Sequence, residues 1–300
     1  MKATLTAQSE FGKIEQVLIK RPQAAFQSQA KIDAEWEKLN FTLAPDLHLA
    51  SIEFAAFESI LKKYVNKIHH LDGQDSISLD SIYCRDAALA TDHGIILGNM
   101  GKPARQEEPD AIRAWCTLNQ VPLLGSIEYP GTLEGGDLAW IDERTLAVGH
   151  TYRTNKNGID QVKSLLEPNG VEVIIANLPH YKGPGDVFHL MSIFSPVDRD
   201  LAVVYSPLMP VSFRNTLLDR HFHLIEVPDT EFESMACNVL ALAPRICIMV
   251  EGNPRTAAAL RLAGCTVYEY EGTEISLKGG GGPTCMTRPL KRWIQDSGFY

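Results

Sequence analysis

The chain of 300 residues has only six cysteines and no Cys-x-x-Cys pair, which excludes a disulfide framework and a structural zinc site. It has no Lys/Arg cluster of the kind that tracks nucleic acid, and a formal net charge of -9 argues against a polyanion-binding surface. No apolar run reaches the roughly 20 residues needed to span a bilayer. No basic-then-apolar leader opens the sequence, since Met1 to Glu10 is polar and mixed. No Gly-x-Gly-x-x-Gly follows a first strand, so the main sign of a dinucleotide-binding sheet is missing. These absences predict a cytoplasmic protein with neither nucleic-acid nor membrane partners and with no cofactor or metal. The acidic balance suits a cationic small molecule.

Against that background Cys285 stands out by its company, Gly279-Gly280-Gly281-Gly282-Pro283-Thr284-Cys285-Met286. A nucleophilic cysteine needs access and a field that favours the thiolate. A glycine-rich loop leaves the sulfur uncrowded and exposes peptide N–H groups that stabilise negative charge. The other five (Cys84, Cys116, Cys237, Cys247, Cys265) lie in mostly apolar runs and read as small core residues.

Strand signals recur along the chain. Short β-branched or apolar runs at Lys67–Leu71, Val121–Leu124, Val171–Ile175, His223–Val227 and Thr266–Tyr270 are spaced by about 50 residues, a repeat length typical of solenoids and propellers. Amphipathic helix candidates precede them at Ser51–Val65, Asp110–Leu118, Gly158–Leu166 and Pro254–Ala263, the last with Asn253 as an N-cap. Ile52, Phe54, Ala55, Phe57, Ile60 and Leu61 form the apolar stripe of the first. Before the helices come hairpins, for example Leu138–Ile141 with Thr145–Val148, and Val239–Leu242 with Cys247–Val250. The unit is therefore β-β-α-β, repeated about five times, and such a set closes naturally into a ring without free edges. An open doubly wound sheet is the competing fold, but the hairpins speak against strict β-α alternation. With no convincing linker, residues 1–300 read as one domain.

In a ring, loops at one end of the axis converge. Asp86, Glu134 and His189 open successive units, and Cys285 closes the last. Each has an ordinary alternative: a salt bridge from Asp86 to Arg85, a turn carboxylate at Glu134, a satisfied core histidine at His189. Together they make chemical sense. A thiolate attacks an sp² carbon, a histidine carries protons to the leaving group and from water, and two carboxylates bind a planar cation such as a guanidinium.

The Ile82-Tyr83-Cys84-Arg85-Asp86 run, Leu133-Glu134-Gly135-Gly136-Asp137, His189-Leu190 and Gly281-Gly282-Pro283-Thr284-Cys285-Met286 resemble, in order, the motifs of the guanidino-group-modifying (pentein) superfamily. The resemblance runs from Phe11-Gly12-Lys13 to Arg288-Pro289-Leu290. It implies a five-bladed α/β propeller in which Cys285 forms a thiouronium adduct and His189 moves protons. Glu134 and Asp86 would hold the guanidinium, with Asp80 at a matching substrate-side position. Arg153 would grip the substrate α-carboxylate, assisted by Arg105. Met191, two residues after the histidine, departs from the aspartate of arginine deiminases and is similar to the dimethylarginine dimethylaminohydrolase pattern. The chain also lacks room for the helical insertion of the deiminases. Arg85-Asp86 and the Asn238 to Met286 segment are closer to deiminases. The implied activity is dimethylargininase-type, giving citrulline and an amine. Alternatives are an arginine deiminase, an amidinotransferase or a non-catalytic binding factor of the same fold. The implied partner is a small guanidino substrate, with a homodimer as the oligomeric option.

Overall fold

The computed structural model describes residues 3–295. Its sheets are small and five in number, four of three strands and one of four. The second blade is β4 (Ala88–Thr91), β5 (Gly94–Leu97) and β6 (Leu123–Ser126). The third is β7 (Leu138–Asp142), β8 (Thr145–His150) and β9 (Glu172–Asn177). The fourth is β10 (Phe194–Asp198), β11 (Leu201–Val204) and β12 (His223–Glu226), and the fifth is β13 (Leu240–Ala243), β14 (Ile246–Val250) and β15 (Thr266–Tyr270). In each, a tight antiparallel pair is followed by a helix and a parallel third strand. Parallel neighbours need such a crossover.

The first blade draws on both ends of the chain. β16 (Thr287–Gln295) pairs antiparallel with β2 (Lys13–Ile19), which pairs parallel with β3 (Lys67–His70), and β1 (Ala3–Thr6) flanks β16. The ring is thereby closed by main-chain hydrogen bonds rather than by side-chain packing alone, and the fold is the five-bladed α/β propeller expected.

No single core fills the molecule; each blade junction has its own. Leu89 and Ile96 of the second blade pack with Leu138, Trp140 and Leu146 of the third. Ala139 and Ile141 meet Phe194 and Val204 of the fourth, and Val197 and Val203 meet Cys247 and Met249 of the fifth. Leu240 and Ile248 then meet Ile14 and Val17 of the first, and Leu18 and Leu290 return to Ala88 and Leu97.

Several local expectations shift. The first long helix runs Leu47–Leu61, begun by Asp46, whose side chain accepts from Leu49 N at 2.8 Å. On it Ile52 is 55% exposed while Glu53 and Glu58 are buried, Glu53 accepting from the N–H groups of Glu274 and Ile275. Asn253 stands at the N-cap of the helix Pro254–Leu262 but makes no capping bond. Its amide serves the Ser234 and Val250 carbonyls instead. The open N–H groups of Arg255 and Thr256 are met by the Glu231 carboxylate at 2.8 and 2.9 Å.

Candidate active site

Every blade begins its first strand just below one end of the axis, and the residue preceding that strand faces inward. Asp86 precedes β4, Glu134 the short turn before β7, His189 the turn before β10, Asn238 precedes β13 and Cys285 precedes β16. Hydrogen bonds tie these loops junction by junction. Gly135 N donates to Asp86 O at 2.8 Å, and Arg85 N to Cys285 O at 3.1 Å. Leu190 N donates to Asp137 Oδ1 at 3.0 Å, Ser195 Oγ to Cys237 O at 2.7 Å, and Thr284 N to Asn238 Oδ1 at 3.0 Å. The site is thus held by the same closure that holds the ring.

Cys285 is the only cysteine among the described residues that is not buried. Its Sγ receives Asn238 Nδ2 at 3.2 Å and the backbone N–H of Gly282. The approach of Asn238 leaves no room for a β-carbon at Gly282. Burial and the neighbouring Asp86 carboxylate push the thiol above its ordinary value, against the pull of those donors.

His189 Nε2 lies 2.8 Å from Glu134 Oε2, and Gly136 lets the imidazole pack where any side chain would collide with it. Burial disfavours the charged ring, but Asp137, Asp86 and the bond to Glu134 outweigh it and raise His189 to about 9. Burial likewise opposes the charged Glu134, yet His189, Arg105 and Arg153 draw it down to about 2. The pair is an imidazolium–carboxylate. Glu134 is fully buried behind the cavity wall, its second oxygen accepting Lys102 N at 3.1 Å and Arg153 Nη1 at 3.4 Å.

Asp86 is divided between two tasks. Oδ2 accepts Arg105 Nη1 at 2.6 Å, while the buried Oδ1 has no partner. Arg105 clasps Glu108 through Nε and Nη2, both at 2.8 Å, and gives Nη2 also to the Tyr83 carbonyl at 3.1 Å. Nε and Nη2 are committed to the protein and Nη1 braces Asp86 at the cavity wall. Asp80 is held by Lys102 Nζ at 2.6 Å.

Asp80, Asp86, Lys102, Arg153, His189, Met191, Asn238 and Cys285 all line one cavity of about 230 Å³. The donor atoms of Asp86, Glu134 and His189 lie within 4.8 Å of one another, close enough for one cation to reach them. Of the residues expected from sequence, Cys285, His189, Asp86, Asp80 and Arg153 share the cavity wall with Arg105, and Glu134 stands directly behind it. Asn238 and Lys102 were not foreseen. The fivefold interval pointed at Asn238; nothing in the sequence pointed at Lys102.

A five-bladed α/β propeller whose blade-end residues converge on a thiol, an imidazolium–carboxylate pair and a free carboxylate oxygen defines an enzyme of the guanidino-group-modifying, or pentein, class. The family described as N,N dimethylarginine dimethylhydrolase, eukaryotic, matches residues 23–292. The chain belongs to that family, a family of hydrolases acting on amidino C–N bonds. It is 28% identical over 208 residues to the N(G),N(G)-dimethylarginine dimethylaminohydrolase of Pseudomonas aeruginosa, covering 69% of this chain and 76% of the relative. It is 25% identical over 277 residues to the arginine deiminase of Listeria welshimeri, covering 77% of this chain and 67% of the relative. A solved structure of the Pseudomonas aeruginosa enzyme, a cysteine-to-serine mutant complexed with citrulline, superposes with a TM-score of 0.75 at 23% identity. That match covers 92% of this chain and 98% of the other, and it carries the fold. No helix among the described residues is long and apolar enough to cross a membrane.

Proposed function

We propose that the protein hydrolyses a C–N bond of an N-methylated arginine, giving citrulline and a methylated amine through a covalent adduct on Cys285. The observation that carries this reading is Asp86 Oδ1, a buried carboxylate oxygen without a partner beside the Cys285 thiol. A buried acceptor left open is costly unless a ligand completes it. A guanidinium N–H completes it and sets a positive charge near the sulfur. That charge offsets the two influences that hold the thiol protonated, and the proton leaves to water.

The thiolate then attacks the guanidinium carbon, forming a C–S bond as a C–N π pair moves to nitrogen. His189 gives its proton to the methylated nitrogen as that C–N bond breaks, and the amine leaves a thiouronium on Cys285. Neutral His189 next takes a proton from water as the oxygen adds to carbon. The C–S bond breaks with its electrons on sulfur, and loss of a proton leaves the ureido group. Glu134 acts through His189, holding it protonated for the first half. Arg153 meets the α-carboxylate, and Met191 offers an apolar wall to N-methyl groups. The citrulline complex of the Pseudomonas enzyme and the family match support this reading.

The test is a panel of asymmetric dimethylarginine, arginine and agmatine, assayed for ureido product. Dimethylarginine is expected to turn over fastest, and Cys285→Ser to melt like the parent while losing on the order of 10⁴-fold or more in turnover. Absence of ureido product from every guanidine would sink the enzymatic reading. Faster hydrolysis of free arginine would instead favour a deiminase, the reading supported by Arg85-Asp86 and the Listeria relative.

A further inference from the structure

Beneath the catalytic layer, on the ring axis, three guanidinium groups face one carboxylate. Arg85 and Arg292 have no solvent exposure, Arg288 retains 3% and Glu10 retains 5%. They come from several blades. Arg85 Nη2 donates to Glu10 Oε1 at 2.6 Å, and Trp140 N of β7 approaches the same oxygen at 3.5 Å. Arg288 Nη2 donates to Arg85 O at 2.9 Å, and Arg292 Nη1 to Gly12 O and to Ala241 O of β13 at 2.6 and 2.8 Å.

Arg85 Nη2 also reaches Leu138 O of β7 at 3.5 Å, yet much of the remaining hydrogen-bonding capacity is unmet. Nε and Nη1 of Arg85, Nε of Arg288, and Nε and Nη2 of Arg292 are buried without a partner. All three arginines act electrostatically on Glu10, and Arg85 acts on both of the others. Asp86, the next carboxylate toward the cavity, also acts on Arg288, but it is paired with the buried Arg105 and so adds no net negative charge. Water satisfies N–H groups but leaves the excess positive charge uncompensated, and an unpaired buried charge is expensive.

We propose that this axial cluster is a binding site for a small monovalent anion of halide size, chloride being the cellular form. The occupant is seated among Arg85, Arg288 and Arg292 and compensates the charge that Glu10 leaves over. The complete enclosure of Arg85 and Arg292 restricts the ligand to an ion that fits between side chains. The site is distinct from the substrate cavity and independent of which guanidine is hydrolysed.

The test uses the full chain crystallised with sodium bromide in place of chloride, with data collected at the bromine absorption edge. An anomalous peak in hydrogen-bonding contact with Arg85 and Arg292 is expected; density there without anomalous signal is water and overturns the proposal. In solution, melting temperature should rise saturably with bromide against gluconate at constant ionic strength. The saturable part should be lost in Arg292→Met. An equal response in both proteins, or a wild-type response no different in gluconate, also overturns it. If Arg292→Met does not fold, the wild-type titration and the bromide crystal decide the matter.

Discussion

At the scale of single residues, the thiol is not poised before its partner arrives. Burial and Asp86 hold Cys285 above the ordinary thiol value, and Asn238, the Gly282 N–H and the Thr284 hydroxyl work the other way. A neutral alkylating agent should therefore react with Cys285 at a rate that climbs as pH rises through that elevated pKa. Asn238→Ala removes a donor to the thiolate and also releases Thr284. A hydrogen bond to a charged group contributes roughly 1.5–3 kcal/mol, so turnover should fall about ten- to a hundredfold and the alkylation profile should move to higher pH. An alkylation profile identical to that of the parent would show that Asn238 does not touch the thiolate energetically. The same residue shows where sequence reading stops. Asp86, Glu134, His189 and Cys285 were legible because polar groups in apolar or glycine-rich surroundings, one per repeat, are costly without a purpose. An asparagine before a strand reads by its type as an ordinary turn residue, and only its place in the fivefold interval marks it. The pairing of Arg105 with Glu108 depends on their side chains meeting in a buried layer, which no motif shows.

At the scale of elements, the three-residue turn Leu190–Ser192 is the part that the proposed function makes selective. It hangs His189 at its start and places Met191, 2% exposed, against both the cavity and the third–fourth blade core. Met191→Asp puts a carboxylate where the N-methyl groups of the proposed substrate would rest. The ratio of kcat/KM for arginine over dimethylarginine should rise by roughly tenfold or more, the scale of one lost apolar contact plus a new charge-assisted bond. An unchanged ratio would remove Met191 from the specificity-determining wall. Elements differed in how clearly the sequence announced them. The sequence marks β15 at its observed bounds, because Gly264 and Gly272 bracket a stretch rich in β-branched and aromatic residues. β6 was displaced from Val121–Leu124 to Leu123–Ser126. Pro122 has no N–H for the ladder and enters only as an acceptor, from Ile95 N at 2.9 Å. The first long helix lies closer to the N-terminus than the expected Ser51–Val65, at Leu47–Leu61, because its start is fixed by the Asp46 cap, while its apolar stripe is interrupted by Glu53 and Glu58, whose partners are distant in sequence.

At the scale of the whole molecule, stability and catalysis depend on the same closure. Each core cluster spans two blades, so no blade can bury its sheet alone, and the β16–β2 pairing completes the circuit. Cys285 lies two residues before that strand, and its carbonyl is held by Arg85 of the next blade. The ring should accordingly unfold as one unit, with far-UV circular dichroism, tryptophan fluorescence and enzymatic activity lost in a single coincident transition. Leu18 provides the sharpest probe. It lies one residue before the end of β2, an interior strand of its sheet, opposite Arg288 of β16 on one side and His69 of β3 on the other, and it packs into the junction with the second blade. Leu18→Pro removes a ladder donor whichever neighbour its N–H faces, leaves an acceptor unmatched and strips an apolar side chain from a core. Together these should cost roughly 3 kcal/mol or more. If closure governs the whole ring, all three probes shift downward together although the substitution touches one blade. A variant in which fluorescence from Trp140 in the third blade melts at the parental temperature while activity is lost earlier would instead show five modules that fold separately. The active site would then be assembled only by their contact.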